Sequence, residues 1–173
     1  MQNKRDDGYE NIVGIEKNGN PPAISLEYSL DEGNTWTQWD ISEDIRLSGD
    51  PTLAGNGGVA YIRATSVNPQ FSTSVNDYYR FKPTTWLSRS GPIASLYTKN
   101  KEDASDIPQY EFVNIMKDLG SGGASNVDVS LEGIKRIREY SFASAFAKTS
   151  DSTAKYTVSH LENDLSIGDY GLT

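Results

Sequence analysis

The stretch Ile107-Pro-Gln-Tyr110-Glu-Phe112-Val-Asn-Ile-Met116 returns with the same spacing, I-x-x-Y-x-F-x-x-x-[M/F], as Ile137-Arg-Glu-Tyr140-Ser-Phe142-Ala-Ser-Ala-Phe146. The two copies start 30 residues apart, and the similar segments 127–132 and 156–162 are separated by nearly the same distance. Such a period is typical of stacked units that bury their apolar faces against one another. The sequence therefore predicts a repeat region whose core consists of Ile107, Tyr110, Phe112, Met116, Ile137, Tyr140, Phe142 and Phe146.

Each unit of the repeat region is expected to combine a strand with a helix. Strands are predicted over 93–98, 127–131 and 156–161, and helices over 109–119 and 139–148. Pro108 suits the first turn of a helix, and Gly120-Ser-Gly-Gly123 would end it. The region holds about two and a half units, fewer than a stable stack usually needs. We expect the first half of the chain to cover one end, and the C-terminal tail or another chain to cover the other.

The first half of the chain consists of short strand-like runs separated by turn residues. Ile24, Leu26 and Tyr28 alternate with polar residues, as in a half-buried strand. Gly, Pro, Asn and Asp fill the segments between the runs, as turns require. This pattern predicts an immunoglobulin-like β-sandwich. Its strands are expected at 12–16, 24–28, 35–39, 45–47, 59–64 and 78–81.

One hairpin motif in this half is specific. The segment 29–36 fits S-x-D-x-G-x-T-W, the Asp-box, and resembles hairpins of sialidases and other glycan-active proteins. In such a hairpin the Asp bonds turn amides, the Gly takes a strained conformation and the Trp covers the turn. The sequence has one copy, whereas a propeller needs about four or more blades, so we expect a structural hairpin. Its motif residues are Ser29, Asp31, Gly33, Thr35 and Trp36.

The composition excludes several kinds of chemistry. The chain has no Cys and one His, so it forms no disulfide, thiolate site or zinc site with two His ligands of its own. Its net charge of −8 disfavours nucleic acids and anionic membranes as partners. Neither a long apolar run nor an apolar N-terminal segment is present, so we expect no membrane insertion and no signal peptide. We also expect no catalytic residue, no metal and no cofactor.

Other residues that could take part in catalysis, metal binding or sugar binding are interpreted mainly as ordinary structural or surface residues. His160 lies in a predicted strand, and no nucleophile is marked beside it. The acidic clusters at 40–44 and 102–106 lack the ligand spacing of a calcium loop, and we interpret them as solvated loops. A glycosidase pair among the carboxylates, or stacking of sugars on Trp36, Trp39 and Trp86, is the alternative that would make the protein glycan-active.

These residues carry a family resemblance. The second repeat copy, with Ile134 before it, resembles the I-x-x-I-x-x-Y-A-F core of BspA-like leucine-rich repeats, found in surface proteins of gut and oral anaerobes and in phages that infect them. Ser141 stands where that pattern has Ala, and its closing Cys is absent. The segments 17–21, 26–36, 77–81 and 90–96 are similar to the domain and junction before such repeats. The resemblance covers residues 13–147 and implies a non-catalytic adhesion or structural module.

The fold class expected from these features is mainly β with some α-structure. An N-terminal immunoglobulin-like β-sandwich is followed by a short α/β leucine-rich-repeat-like stack. The expected layout is a polar N-terminal arm at 1–12, the sandwich at 13–85, strand–helix units at 86–148, and a linker, last strand and C-terminal docking segment at 149–173.

The expected function is that of a non-enzymatic phage virion protein. The modules resemble surface-adhesion domains, yet Met1 is not followed by an export signal. A head fibre, capsid decoration or tail-associated adhesin on the particle exterior would need no export signal, because phage proteins are made in the cytosol and released by lysis. The expected partners are other virion proteins or further copies of the chain, with bacterial surface polysaccharide as a further candidate. The alternatives are a bacterial cell-surface adhesin module and an accessory domain of a glycan-active enzyme.

Overall fold

The computed structural model describes most of the chain, and the described residues are mainly β with very little helix. Their helical segments are a four-residue helix, α1 (Ala94–Tyr97), and a 3-10 helix, Lys101–Ala104. The mainly β character predicted from the sequence is therefore confirmed. The described residues are 1–3, 10–48, 58–67, 70–84, 87–117, 126–147 and 155–172.

In the first half, every predicted run contains a strand, and the run at 12–16 is divided at Gly14 into two. The strands are β1 (Gln2–Asn3), β2 (Asn11–Val13), β3 (Ile15–Asn18), β4 (Leu26–Ser29), β5 (Thr37–Trp39), β6 (Ile45–Leu47), β7 (Tyr61–Ala64) and β8 (Tyr78–Phe81). Strands β2–β8 pair only in antiparallel orientation within the described residues: β2 with β6, β3 with β8, and β4 with both β5 and β7. Alternating burial along β6 and β8 places one face of each strand in the core.

The second half is built from three successive units: unit one (87–117), unit two (126–147) and unit three (155–172). The strands are β9 (Leu87–Pro92), β10 (Asp106–Ile107), β11 (Asn126–Ser130), β12 (Arg136–Ile137), β13 (Lys155–Ser159) and β14 (Ser166–Ile167). One parallel ladder joins β9, β11 and β13, and another joins β10, β12 and β14. In the second ladder Ile107 pairs with Ile137, and Ile137 pairs with Ile167, so the register follows the 30-residue repeat.

The helices predicted at 109–119 and 139–148 are wrong. Residues 109–117 and 139–146 form consecutive turns, while 118–119 and 148 lie outside the described residues. The Phe112 amide donates to the Ser141 carbonyl at 2.7 Å, and the Met116 amide donates to the Ala145 carbonyl at 3.0 Å. In a helix these amides would bond a residue four positions earlier in the chain. Here they bond the next unit, which joins the turns into a ladder.

The backbone conformation of these turns also excludes a helix. Tyr110 and Asn114 in unit one, and Tyr140 and Ser144 in unit two, have φ values between 53° and 63°. This left-handed conformation costs an L-residue about 1–2 kcal/mol, which the bonds between units offset. The strand predicted at 93–98 is also wrong, because β9 ends at Pro92 and α1 follows it.

The predicted C-terminal docking segment forms a third unit of the stack. Ile167-Gly-Asp-Tyr170-Gly-Leu172 begins 30 residues after the second copy and places Leu172 where that copy has Phe142. The Tyr140 amide donates to the Asp169 carbonyl at 3.3 Å, and the Phe142 amide donates to the Gly171 carbonyl at 3.0 Å. Units two and three are thus joined by the same kind of bond as units one and two. The predicted linker lies outside the described residues up to Lys155, where β13 begins.

The first half closes the stack at unit one. The ring of Phe71 lies 5.8 Å from that of Phe112, which lies 5.2 Å from that of Phe142. The Phe81 amide donates to the Ile115 carbonyl at 3.0 Å. Because all these side chains are buried, one apolar core extends from the first half into units one and two.

The predicted polar arm at 1–12 is held to the fold at both of its described ends. The Met1 amino group donates to the Ala60 carbonyl at 2.6 Å, and the Ala60 amide donates to the Met1 carbonyl at 2.8 Å. Strand β1 pairs with β9, and Asn11 lies buried in β2. Residues 4–9 lie outside the described residues. The described part of this segment is therefore bonded to the rest of the fold.

Ser144 allows a test of the turn geometry, because its side chain is exposed and its φ is 53°. Ser144→Gly should leave the free energy of unfolding unchanged or raise it by up to about 1 kcal/mol, since glycine adopts this conformation without strain. Ser144→Val should lower it by about 1–2 kcal/mol. Urea denaturation measures both. The same pair of substitutions at Thr157, in a strand, should rank in the opposite order, and the same order at both positions would contradict the geometry.

Candidate functional site

The Asp-box residues form a hydrogen-bonded cluster in the turn between β4 and β5. Asp31 Oδ1 accepts from Ser29 Oγ at 2.6 Å and from the Thr35 amide at 2.8 Å, while Oδ2 accepts from Thr35 Oγ1 at 2.6 Å. The Gly33 amide donates to Ser29 Oγ at 2.8 Å, and Gly33 has a φ of 88°. The bonds from Ser29 and then Thr35 lower the pKa of Asp31 to about 2. The carboxylate is therefore ionised at neutral pH and organises the turn.

Trp36, the last residue of the Asp-box, packs within its own hairpin. Its Nε1 donates to the Gly33 carbonyl at 2.9 Å, and the Arg63 guanidinium lies 3.5 Å from the ring centre. Glu27 holds Arg63 in place through a 2.6 Å ion pair. Trp39 is buried, and Trp86 lies outside the described residues. Because Trp36 packs against Arg63 and Trp39 is buried, neither ring stands free as a platform for a sugar.

Ser29→Ala should lower the free energy of unfolding by about 1–3 kcal/mol, because the Gly33 amide loses its acceptor inside the hairpin. Ser29 is only 2% exposed, so water does not replace the lost hydroxyl easily. Thr35→Val removes an exposed hydroxyl from the same cluster and is the matched control, with a smaller expected loss. Chemical denaturation of both variants makes the comparison. Equal losses would show that the buried serine is not what stabilises the turn.

The residues of the predicted repeat core occupy two environments. Ile107, Phe112, Met116, Ile137 and Phe142 are buried inside the stack. Tyr110, Tyr140 and Phe146 are half-buried at its surface.

Tyr110, Tyr140 and Tyr170 form a ladder of stacked rings along this surface. Neighbouring ring centres are 5.4 Å and 5.1 Å apart, with the planes inclined by 12° and 10°. A groove of about 320 Å³ is lined in part by Gln109 and Glu139, which precede Tyr110 and Tyr140 in the chain. It is lined by polar groups of the kind that orient a ligand, among them Gln109, Arg136, Arg138, Glu139 and Ser166.

Unit three exposes apolar side chains at positions that are buried in unit two. Ile167 is 49% exposed and its equivalent Ile137 is 0% exposed, while Leu161 is 58% exposed and Leu131 is 0% exposed. Among the strands that the structure describes, β13 and β14 are the last of their sheets. A group of apolar side chains at one end of a stack indicates an interaction surface. We call this surface the end face and define it by Val158, Leu161, Ile167 and Tyr170.

The other predicted candidates lie at the surface or take part in local turns and ion pairs. His160 is exposed and follows β13. Asp40 accepts bonds from the amide and hydroxyl of Ser42, Asp44 pairs with Lys82 at 2.7 Å, and Asp106 pairs with Arg138 at 2.7 Å. Within the described ranges, no group of three or more His, Asp or Glu residues is placed to hold a metal ion. In the same part of the chain, no helix has the length and apolarity needed to cross a membrane.

A cavity of about 540 Å³ lies between the first half and the stack, and Arg89 is among its lining residues. Arg89 is 3% exposed, and burial lowers its pKa to about 10, so it remains charged at neutral pH. Its Nη1 donates to the Leu87 carbonyl at 2.9 Å. Its Nε finds no partner among the described residues and is sealed from solvent. A ligand in the cavity therefore cannot reach this nitrogen.

Glu111 is a buried acid that the sequence analysis missed. Its Oε1 accepts from the Phe71 amide at 3.1 Å, whereas Oε2 finds no partner within the described residues. Burial raises the pKa of Glu111 to about 8, so the carboxyl is mostly protonated at neutral pH. It joins the first half to unit one. Its position between Tyr110 and Phe112, both repeat-core residues, was the signal that could have marked it.

Comparison with known proteins identified no relative of this chain. No family model matches it, no curated protein matches it, and no solved structure matches it. The functional interpretation therefore depends on the residues, their geometry and the resemblance that the sequence motifs carry.

Proposed function

We propose that the protein is a non-enzymatic structural and adhesion module that acts through its surfaces. The observation that carries this proposal is the end face, where unit three exposes the apolar positions that a neighbouring unit covers in unit two. Elsewhere, Asp31, Asp44 and Asp106 serve turns and ion pairs. Such a molecule is suited to assembly with other proteins.

The finer architecture is part of the proposal. We propose that residues 13–85 are an immunoglobulin-like sandwich and that units one to three are a leucine-rich-repeat-like stack. Antiparallel pairing around a shared core supports the first assignment. Parallel ladders in 30-residue register, together with the resemblance of residues 134–142 to BspA-like repeats, support the second. Turns take the place of the expected helices in this stack.

The proposed location is the exterior of a phage virion, as a head fibre, capsid decoration or tail-associated adhesin. The support is the resemblance to surface modules of gut anaerobes and their phages. Mass spectrometry of purified virions tests the location, with surface proteins of uninfected cells as the control. Peptides in virions are the expected result. Peptides only at the surface of uninfected cells would overturn it in favour of a bacterial adhesin module.

A second candidate function is binding of a bacterial surface polysaccharide, favoured by the polar groove that Gln109, Arg138 and Glu139 help to line. Glu139→Ala, an exposed change in the groove, should weaken binding of purified polysaccharide. Glu43→Ala, also at an exposed position but in the first half, is the control and should leave binding unchanged. No binding by the unmodified protein would remove polysaccharide as a partner, and its hydrolysis would favour the glycan-active alternative.

A further inference from the structure

We propose that the end face binds a second copy of the chain, so that two stacks join end to end about a two-fold axis. In this dimer β13 lies antiparallel to β13 of the second copy. The inference rests on the proposed assembly role and names the partner of that surface.

The stack itself shows what kind of surface covers the face of a unit, because the equivalent faces of units one and two are each covered by the next unit. Unit two covers unit one, and unit three covers unit two, through strand pairing, through bonds such as Phe142 to Gly171, and through stacked tyrosine rings. The partner of the end face must therefore offer a strand edge, apolar side chains and an aromatic ring. The end face of a second copy offers all three.

The symmetry follows from the other end of the stack. Phe71 and Phe81 of the first half already close unit one, so a second copy cannot add there head to tail. A surface that binds its own copy produces a two-fold axis and a closed dimer. The axis is expected beside Thr157, the middle residue of β13.

The charges on β13 are compatible with this orientation. Lys155 is the one charged residue of the strand, and antiparallel pairing about Thr157 places it opposite Ser159 of the second copy. The Ser159 hydroxyl donates to Asp128 Oδ1 at 3.1 Å within its own chain. Each lysine would thus approach an aspartate of the other copy, and the two lysines would lie at opposite ends of the paired strands. Opposite charges across an interface favour one orientation over others.

Sedimentation equilibrium of the full chain tests the dimer. The expected mass is twice the 19.0 kDa of one chain. Ile167→Lys and Leu161→Lys should each weaken the dimer by about tenfold or more, since a charge would be buried at the contact. Val67→Lys and Val75→Lys change residues of similar exposure in the first half and should leave it unchanged. Circular dichroism checks that each variant is folded.

A cysteine variant tests the position of the axis. Because the chain contains no Cys, Thr157→Cys introduces the sole thiol. Facing residues of paired antiparallel strands lie within reach of a disulfide, so mild oxidation should give a covalent dimer in high yield. Ser66→Cys, exposed in the first half, is the control and should not cross-link.

The outcomes are separable from those of the proposed function. A dimer that the end-face lysines weaken and that the Thr157→Cys substitution cross-links supports the inference. A monomer across the micromolar range would overturn it. A dimer that the lysine variants do not weaken and that the Thr157→Cys substitution does not cross-link would also overturn it. Peptides in virions together with a monomer would leave the assembly role standing without this partner.

Discussion

Phe142→Ala should lower the free energy of unfolding by about 3–5 kcal/mol. Phe142 is completely buried at the centre of the stack, with ring centres 5.2 Å from Phe112 and 5.9 Å from Phe146. Its amide also joins unit two to unit three. Removing the ring leaves a cavity between rigid turns that cannot collapse without breaking the ladder of inter-unit bonds. Urea denaturation measures the loss.

Phe146→Ala is the matched control for this prediction. Phe146 has the same ring in the same unit, but it is half-buried. Its loss should therefore remove less apolar contact and cost clearly less than the loss of Phe142. If the two variants lost the same stability, the interior of the stack would not lie at Phe142.

Glu111→Gln should stabilise the protein at alkaline pH by up to about 5 kcal/mol, because each unit of pKa displacement corresponds to about 1.4 kcal/mol. The pKa of Glu111 is raised from 4.5 to about 8 in the folded protein by burial. Between these values the folded chain holds a proton that the unfolded chain releases. The stability contributed by Glu111 is complete below the lower value and is lost as the pH rises through the higher one.

The difference between the unfolding free energies of the Gln variant and the unmodified chain isolates this effect, because the other titrating groups are common to both. That difference should be small near pH 4.5 and should grow steadily toward pH 8. The amide side chain of the variant retains an oxygen that can accept from the Phe71 amide. Glu139→Gln, at an exposed position, should show no such slope. Parallel curves for Glu111→Gln and the unmodified chain would contradict a buried neutral carboxyl.

The 30-residue period could be predicted, but the form of each unit could not. Phe112, Val113 and Met116 have the spacing of a helix face, and Gly120 follows as a stop signal. Side-chain periodicity does not show whether the Phe112 amide bonds a residue four positions back or Ser141 in the next unit. The residue type of Tyr110 does not indicate a left-handed backbone either, since bulky aromatic residues usually avoid that conformation. The hydrogen bonds between units are what make these residues turns and not a helix.

Two features of the second half, the third repeat copy and the buried Glu111, were not predicted from the sequence, for different reasons. The third copy was missed because Leu172 replaces the expected Phe, although Ile167 and Tyr170 keep the 30-residue spacing. Glu111 was missed because an acidic residue is ordinarily exposed. Its bonding partner, the Phe71 amide, lies in the first half, and the pattern of the second half does not identify it.

The sequence by itself determined the mainly β character, the positions of the strands in the first half, the hairpin of Ser29–Trp36 and the register of the repeat, because these depend on local turn chemistry and on spacing along the chain. The tertiary structure alone decided that the units are turns, that Glu111 is buried, and that the apolar residues of unit three remain exposed. These properties depend on which distant segment accepts an amide or covers a side chain.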